Sequence, residues 1–571
     1  MPPWVSWHAE ALVFFGVFSA AGLVLFSSAS TGSTVPLPQP AWLAVALLIV
    51  VVAQGVSGRI PYAGDVWVVL FYVALALACL VLGYAASGAD KVAPVALAAP
   101  RAALAPVAPV ASVASVAPAL GPGLLGAPAT TLAWAVLLIG LGSAATGLVQ
   151  TFDVMPQSDW LVRIAANERA GGQVAQANHF AIGLLMALVS AAYLFCVKQI
   201  GAGCALLLVA YLGLGLAMSQ SRTGFFCALV IGAWWLWKQP VVAPLHKRWW
   251  GILVLGLVVG LFLAWPPMFD RIYFVHESTA ARLTSGSPRF LVWPQLVEAV
   301  WARPWLGWGM LQVAPAHNSV AHEYAASQAF TYSHTVVLDA AIWLGIPLAV
   351  GVLGVALTWL WRRARAVQNL QSWYLFGLLL PVGVGSLMEF PYVYAYCLAP
   401  VLFAVGMLER ELRCKPMVRL PARAAALAYV MLSLLMAWSA FEYFQVEEDT
   451  RVARFEALRV GKTPNDYAAP HIILLTQLSS LAASTRIVPV PGMSTAQLDL
   501  LKNTALRYPW TANGFRYASA LALNGNQAEA WRQMLVMRAT QGEKMHVQLM
   551  DVLVEKLAEH QMTWQPGMPQ R

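Results

Sequence analysis

A single histidine, His334, stands where a mixed polar segment gives way to a long apolar run. An ionisable side chain at a membrane–water boundary is costly to desolvate, so it indicates a functional site. Imidazole is also the side chain best suited to accept or release a proton near neutral pH. The alternative is a histidine that only caps a helix or lies at the interface. We take His334 as the candidate catalytic base.

Three arginines lie beside apolar segments on the side of the membrane that we predict for His334. They are Arg169, Arg222 and Arg289, and Arg222 falls in the tight turn Ser219–Gly224. A planar guanidinium can hold a diphosphate through two parallel hydrogen bonds, which an ammonium cannot do. It can also extend its stem toward lipid headgroups. The diphosphate interpretation predicts that these arginines neutralise an anionic group.

Amide, carboxylate and phenol groups occur in two further segments of the same face. Residues 169–179 contain Gln176 and Asn178, of which Asn178 could instead cap a helix. Residues 388–396 contain a carboxylate and three tyrosines, namely Glu389, Tyr392, Tyr394 and Tyr396. These groups could form an aromatic belt with one exposed acid. They could also bind sugar hydroxyls or orient a catalytic group, and the role that we predict is contact with the glycan or with an acceptor.

A base, arginines and sugar-binding groups at one membrane face fit one kind of chemistry. They fit transfer of a group from a lipid-linked anionic donor to a hydroxyl acceptor. The chain contains no HExxH sequence and no phosphate-binding loop of the GxxxxGK type. Its outward acids Asp153, Asp159, Asp270 and Glu277 are isolated and do not form a cluster of metal ligands. The sequence therefore predicts an enzyme without a metal site or a cofactor.

The elements that must position these residues are membrane helices. The chain has 571 residues, of which 59% are hydrophobic and 11% are charged, whereas soluble proteins carry about 25% charge. Apolar runs long enough to cross a bilayer recur through about residue 440. The fold class predicted is an all-α polytopic membrane protein with about twelve transmembrane helices. The predicted spans are 10–28, 41–56, 66–86, 131–150, 179–197, 202–218, 222–238, 249–265, 334–360, 371–388, 394–409 and 422–441.

The net charge of +9 comes from basic residues in short loops, which is the pattern of cytoplasmic loops and not of a nucleic-acid surface. Residues 239–248, 361–370 and 410–421 are therefore predicted to be cytoplasmic. Two orientations of the N-terminus stay open. It lies outward with four early spans, or inward if the Ala/Pro-rich segment within 87–130 hides a further crossing.

The predicted domains are a multi-span membrane domain over 1–442, with a large outward loop at 266–333, and an outward helical region over 443–571; the outward side should be the periplasm. Helical spacing of apolar residues and tryptophans over 288–304 favours a helix on the membrane surface. An Asn-Gly turn at 524–525 predicts a pair of short helices like a single tetratricopeptide hairpin. We expect the C-terminal region to grip an acceptor chain.

Five short motifs give the chain a resemblance to a known family. In chain order they are Gly172–His179, Ser221–Gly224, Pro304–Gly309, Ser333–His334 with Leu344–Gly345, and Met388–Tyr396. In this order and spacing the chain resembles the O-antigen ligase superfamily, and above all its PglL-type protein O-oligosaccharyltransferases. The likeness covers most of residues 130–540. The C-terminal region is similar to the additional tail of that branch.

The resemblance implies a metal-independent glycosyltransferase of the bacterial inner membrane whose active site faces the periplasm. It would move a whole glycan from undecaprenyl diphosphate to Ser or Thr of a periplasmic acceptor protein, pilin-like or other. The family's His-Asn pair falls on His334 and Thr335, and its usual Glu falls on Trp343, so two family residues are replaced. A literal His-Asn pair at His317 and Asn318 is the lesser alternative for the catalytic site.

Two other functions compete with this interpretation. An O-antigen ligase or an O-antigen polymerase of the same superfamily would use the same donor with a different acceptor. A transporter of lipid-linked glycans would perform no chemistry, but transporters place charged residues near the bilayer midplane. Here the apolar segments carry almost no charge, which favours the enzyme.

Overall fold

A computed structural model of the chain describes residues 7–29, 34–87, 128–154, 161–162, 169–242, 249–273 and 288–565. Within those ranges the chain is almost entirely helical, with a single pair of short strands. Eight helices are long and apolar enough to cross a membrane. The predicted all-α polytopic membrane class is confirmed. The Ala/Pro-rich segment and Asp159 and Glu277, two acids that do not indicate a metal site, lie outside the described residues.

Twelve helices correspond to the predicted spans. They are α1 (Trp7–Ala29), α2 (Ala41–Val56), α3 (Ala63–Ala86), α4 (Pro128–Thr151), α5 (Ala177–Cys196), α6 (Ala202–Ser219), α7 (Arg222–Trp237), α9 (Trp249–Tyr273), α13 (Ile346–Ala366), α14 (Leu370–Gly385), α15 (Ala395–Glu411) and α16 (Ala422–Ala457). The short helix α8 (Gln239–Val242) follows α7. Of the twelve, α2, α7 and α14 are apolar but have fewer than 18 residues, and α15 also falls short of that length with 17 residues.

The outward loop begins later than predicted, because α9 continues through Pro266 and Pro267 to Tyr273. After it come α10 (Pro288–Ala302) and α11 (Val313–Ala321). The predicted surface helix is present as α10. Its Phe290 and Trp301 side chains are 68% and 66% exposed, and such an exposed apolar face suits a helix that lies in the membrane interface.

The predicted span 334–360 is wrong as one continuous helix. It consists of α12 (Val336–Leu344) and α13, which meet at Gly345. Gly345 has φ +80° and Gly307 has φ +66°, and a Cβ at either would overlap a backbone carbonyl of the other's segment. The Trp308 N–H donates to the Ile342 carbonyl (2.6 Å), and the Ile346 N–H donates to the Pro304 carbonyl (2.7 Å). The helix is therefore broken because residues 304–308 occupy the gap.

Two faces of the bundle are fixed by contacts between helix ends. Strand β1 (Thr34–Leu37) pairs antiparallel with β2 (Val418–Pro421), so α1 ends beside the start of α16. The Tyr84 hydroxyl donates to the Cys414 carbonyl at the same face. Gln150, near the end of α4, bonds Gly172 at the other face. Residues 87 and 128 thus lie at one face, which supports the outward N-terminus with four early spans.

The C-terminal region packs on the face opposite to the strand pair. It contains α17 (Thr476–Arg486), α18 (Thr495–Arg507), α19 (Thr511–Leu523), α20 (Gln527–Gln541) and α21 (Glu543–Glu559). Arg507 forms two hydrogen bonds with the buried Asp65 carboxylate (2.8 and 2.9 Å). The predicted helix pair around Asn524 and Gly525 is present as α19 and α20. Because α16 is continuous through residue 442, the boundary between the two predicted domains falls inside a helix and stays a prediction.

Candidate active site

The Glu389 carboxylate is the centre of the site. It lies in the turn between α14 and α15, and its side chain is 0% exposed. Oε1 accepts a hydrogen bond from Asn178 Nδ2 (2.5 Å) and forms an ion pair with Arg289, while Oε2 lies 3.0 Å from His334 Nδ1. Asn178 begins α5, Arg289 begins α10 and His334 precedes α12. One carboxylate therefore joins three distant segments of the chain.

The surroundings of Glu389 keep it ionised. Burial by itself would raise the pKa of its carboxyl group, because charge is less stable out of water. The hydrogen bond from His334 and the positive charge of Arg289 oppose this and lower the pKa below its usual range. At neutral pH Glu389 is thus a carboxylate that can accept a hydrogen bond from a protonated Nδ1 of the imidazole.

The backbone holds His334 in a constrained position. Its φ is +63°, a left-handed conformation that is uncommon for non-glycine residues and carries a cost in backbone energy. The preceding Ser333 N–H donates to Asp339 Oδ1 (2.8 Å), and Tyr392 donates its hydroxyl to the other Asp339 oxygen. The following Val336 N–H donates to the Ser386 carbonyl (2.8 Å). Both sides of the histidine are therefore anchored.

Two aromatic rings complete the surroundings of the imidazole. Ring centroids of Phe330 and Phe390 lie 4.8 and 4.6 Å from that of His334. The imidazole remains 21% exposed. Since Nδ1 points to Glu389, Nε2 is the nitrogen that remains to take a proton from a substrate. An imidazole oriented by a carboxylate through Nδ1 is the arrangement of a general base in nucleophile-activating sites.

A chain of side-chain hydrogen bonds extends from Glu389 to the start of α7. Asn178 Oδ1 accepts from the Ser221 hydroxyl (2.7 Å), and Ser221 caps α7 by accepting from the Gly224 N–H (2.9 Å). The cap of α5 is Gln176, whose side chain accepts from the His179 N–H (2.6 Å). Asn178 is therefore not the helix cap, and its buried amide links two helix starts through the carboxylate.

Comparison with known proteins agrees with this arrangement. A family model described as O-antigen ligase matches residues 206–353, and one described as virulence factor membrane-bound polymerase, C-terminal, matches residues 373–550. Between them they contain Ser221, Arg222, Arg289, His334 and Glu389. The chain belongs to the O-antigen ligase superfamily.

Two proteins from Acinetobacter baylyi are similar to the chain. One is a ComP-specific O-oligosaccharyltransferase, 27% identical over 284 residues, which are 49% of this chain and 51% of that protein. The other is a general O-oligosaccharyltransferase, 23% identical over 382 residues, 64% of this chain and 66% of that protein. The chain thus spans about half and about two thirds of the relatives' lengths. No solved structure matches the chain.

The structure brings together only part of the residues that the superfamily resemblance predicts. His334, Arg289, Asn178 and Glu389 are in direct contact. Arg222 is exposed and follows Ser221 directly, so chain continuity keeps it beside the hydrogen-bonded chain. Arg169 is exposed in the segment before α5.

The predicted sugar-binding groups are already engaged within the protein. Tyr392 is bonded to Asp339, and its pKa is raised above its usual range, first by burial and then by that carboxylate. The Tyr396 hydroxyl lies 3.4 Å from His179 Nδ1, and the Tyr394 ring packs edge-on against the His179 ring. Their contact with glycan or acceptor, and that of Gln176, stays a prediction.

Sequence reasoning missed Asp339 and Phe390. Asp339 is 0% exposed and fixes the segment that carries His334. The sequence could have identified Asp339, because it is the one acid inside the apolar run after His334. An acid inside an apolar segment indicates a functional role. Phe390 is adjacent to Glu389, but its contact with His334 depends on two turns that meet across 55 residues.

The two residues of the alternative pair, His317 and Asn318, are both hydrogen-bonded within the protein. His317 Nε2 lies 2.9 Å from both Gln295 Oε1 and Ser327 Oγ, and burial lowers its pKa to about 4. Asn318 Nδ2 donates to Gln533 Oε1 on α20 (3.1 Å). A neutral, enclosed imidazole next to a contact with the C-terminal region favours a role in holding that region, and leaves His334 as the candidate base.

Proposed function

We propose that the protein is an oligosaccharyltransferase that moves a glycan from undecaprenyl diphosphate to a Ser or Thr hydroxyl of an acceptor protein. The observation that carries the proposal is the hydrogen bond between His334 Nδ1 and the buried Glu389 carboxylate. It orients an imidazole at the face where the superfamily motifs meet. The similarity to two O-oligosaccharyltransferases supports the choice of reaction.

In this reaction the acceptor oxygen attacks the anomeric carbon of the first sugar. The bond between that carbon and the diphosphate oxygen breaks, and the electron pair leaves with undecaprenyl diphosphate. His334 Nε2 takes the hydroxyl proton, and the Glu389 carboxylate stabilises the imidazolium that forms. Preorganised electrostatic stabilisation of this kind accounts for a large part of enzymatic rate enhancement.

The leaving diphosphate needs positive charge as its own negative charge grows. Arg289 supplies this from beside the base, because its guanidinium carries a permanent positive charge and five N–H donors in a fixed fork. Arg222 and Arg169 extend the positive surface along the same face. We propose that the enzyme works without a metal, because arginine can neutralise the diphosphate in place of a divalent ion.

The basic loops indicate how the protein is oriented in the membrane. Lys238, Arg363 and Arg410 lie at the face of the strand pair, which by the positive-inside rule is cytoplasmic. We propose the bacterial inner membrane, with His334 and the C-terminal region in the periplasm. The lipid tail of the donor would then enter between helices from the bilayer.

The decisive test uses the purified protein, a defined undecaprenyl-diphosphate glycan and two acceptors in parallel. One acceptor is a pilin-like protein, and the other is lipopolysaccharide core. Mass spectrometry should find glycan on Ser or Thr of the protein acceptor. Glycan on the lipopolysaccharide alone would identify an O-antigen ligase, and lengthened lipid-linked glycan would identify a polymerase. If no product formed with any of the acceptors, the proposal that the protein is a glycan-transferring enzyme would be contradicted.

A further inference from the structure

A buried acid on the first helix contacts the end of the turn that carries Glu389. Glu10 lies in the first turn of α1 and is 1% exposed. Its Oε2 accepts a hydrogen bond from the backbone N–H of Ala395 (2.8 Å), the first residue of α15. Its Oε1 is buried and has no hydrogen-bond partner in the described part of the chain. An acid in an apolar segment is costly to keep there, so this position indicates a function.

The Tyr72 hydroxyl on α3 connects Glu10 to the same turn. Its oxygen lies 2.5 Å from Glu10 Oε2 and 2.6 Å from the Val393 carbonyl oxygen. Glu10 and Tyr72 together therefore hold one carbonyl and one N–H that are two residues apart, where the turn 386–394 passes into α15. We call these two side chains the turn clamp.

The turn clamp holds one end of a segment whose other end is fixed by α14. There the Gly385 carbonyl accepts from the Glu389 N–H (2.8 Å). Between the two ends, Glu389 is bonded to His334 Nδ1 and Phe390 packs against the His334 ring. A shift of the clamped end would therefore move the groups that orient the imidazole.

We propose that Glu10 and Tyr72 are positioning residues for the base of the proposed transferase. They act through the turn and not on the substrates, and they fix the turn so that Glu389 meets His334 Nδ1. The inference rests on the proposed function, because it concerns the same imidazole. Catalytic groups must be held within about 0.5 Å of their productive positions, and a misplacement of about 1 Å can lower the rate about 10²-fold.

The chain offers a matched control at the other end of α3. Tyr84 is 4% exposed and donates its hydroxyl to the Cys414 carbonyl (3.3 Å), in the loop after α15. Tyr72→Phe and Tyr84→Phe each remove one hydroxyl and keep the ring. In Tyr72→Phe we expect kcat to fall about tenfold, the effect of one lost hydrogen bond, with unchanged KM for donor and acceptor. Tyr84→Phe should keep the parent kcat.

Variants of Glu10 separate positioning from insertion of the helix. Leucine suits an apolar segment better than an acid, so Glu10→Leu should insert like the parent protein. It leaves the Ala395 N–H without its acceptor, however, and should lower kcat by a similar factor. Glu10→Gln keeps a carbonyl oxygen that can accept from this N–H and should keep most of the rate. A merely structural role for Glu10 would not produce a loss of kcat that glutamine repairs and leucine does not.

Hydrogen exchange adds a measurement that needs no glycan donor. Amides of residues 388–398 should exchange faster in Tyr72→Phe and Glu10→Leu than in the parent protein and Tyr84→Phe. Unchanged exchange in this segment would overturn the turn clamp whatever the transfer assay shows. Faster exchange with an unchanged kcat would overturn its role in positioning the base. If the parent protein transfers no glycan, the proposed function fails, and exchange alone decides whether Glu10 and Tyr72 hold the turn.

Discussion

Two buried carboxylates at opposite faces of the bundle show what distinguishes a candidate active site from a structural ion pair. Glu389 and Glu409 both have side chains that are at most 1% exposed, and each is paired with an arginine. Glu409 accepts from Arg363 (2.5 and 3.1 Å) and from the Trp359 indole (3.0 Å). All three residues lie within regular helices. Glu409 therefore joins α13 to α15 through fixed partners.

Glu389 differs in the nature and position of its partners. One of them is an imidazole, which can gain and lose a proton, and that imidazole is in a left-handed turn and not in a helix. Another is the side-chain amide of Asn178, whose oxygen accepts a hydrogen bond from the Ser221 hydroxyl. At both faces, therefore, a buried carboxylate is paired with an arginine. At the Glu389 face the carboxylate has an additional partner, His334, which is titratable, partly exposed and held in a strained turn.

The largest effect should come from His334→Ala. Loss of a positioned general base lowers the rate by ~10²–10⁴-fold, so transfer by the purified variant should be close to background. The comparison variant Trp359→Phe, which removes one donor to Glu409, should transfer at the parent rate. Rates are measured with purified protein and a defined lipid-linked glycan. Near-normal transfer by His334→Ala would redirect attention to His179 or His317.

Glu389→Gln and Glu409→Gln should separate activity from stability. The first variant loses the carboxylate that orients His334 and should transfer about 10²-fold more slowly, the lower end of what acid–base catalysis contributes. The second breaks a buried ion pair, which costs about 3–5 kcal/mol of stability. Its folded fraction should retain the parent rate. Thermal unfolding and rate per folded molecule are measured together. Equal activity losses in both variants would remove the distinction between the faces.

Arg222→Lys should reduce transfer despite the conserved charge. An ammonium cannot make two parallel hydrogen bonds to a phosphate, and loss of one charge-assisted bond costs about tenfold in rate. Arg363→Lys at the other face is the control, and it should lower the melting temperature without slowing the folded enzyme. Full activity in Arg222→Lys together with nearly full activity in Arg222→Ala would make Arg222 a headgroup anchor.

The docking of the C-terminal region can be tested through Gly64. A Cβ at this position would overlap the Gln477 side chain and lie 2.7 Å from the Leu474 carbonyl oxygen. Gly64→Ala should therefore shift α17 and weaken the use of a protein acceptor about threefold to tenfold, the effect of roughly 1 kcal/mol. Binding of the lipid-linked donor should not change. Gly142→Ala, whose Cβ would meet nothing within 4 Å, is the control.

Gly64→Ala is a milder test than removal of residues 460–571. That deletion also takes away Arg507, the partner of the buried Asp65 carboxylate. A fall in donor binding by Gly64→Ala would contradict the division of labour between the membrane helices and the C-terminal region. Cysteine labelling near Gly525 tests its side of the membrane, and an unreactive site in cells with a permeable outer membrane would contradict the topology.

The smallest expected effect is that of a chelator. We expect transfer by chelator-treated enzyme to continue unchanged, because arginine can neutralise the diphosphate at the Glu389 face. The measurement is the rate before and after treatment, with and without added magnesium or manganese. Loss of activity that returns with either ion would indicate a metal site, with Glu389 or Asp270 among its ligands.

Hydropathy and loop charge were sufficient to predict the helices, since each span is a local pattern. The motifs around His334, Asn178, Arg289 and Glu389 were predicted to share one face, and the structure brings these four residues together. Their contacts could not be predicted in the same way, because Asn178 and Glu389 are 211 residues apart. Of the interpretations of its segment, only the aromatic belt implied an exposed Glu389 side chain. It is buried because the start of α10 and the turn of His334 cover it.

The break at Gly345 has the same kind of cause. Residues 336–366 read as one apolar run, and only the insertion of residues 304–308 divides it. The attachment of the C-terminal region through Arg507 and Asp65 links positions 442 apart. In each case the local sequence gives the element, and a distant segment decides where the element ends or what it contacts.

The position of α1 has a consequence for the order in which the protein matures. Glu10 is 1% exposed, and its carboxylate accepts from the Tyr72 hydroxyl (2.5 Å) and from the N–H of Ala395, 385 residues later. At a synthesis rate of ~5–20 residues per second, roughly 20–80 s separate the two residues on the ribosome. During that time α1 lies in the bilayer without α16 or strand β2. Helix α1 therefore acquires α3 and Tyr72 early but waits for α15 and α16, and an insertase or chaperone has that interval in which to hold it.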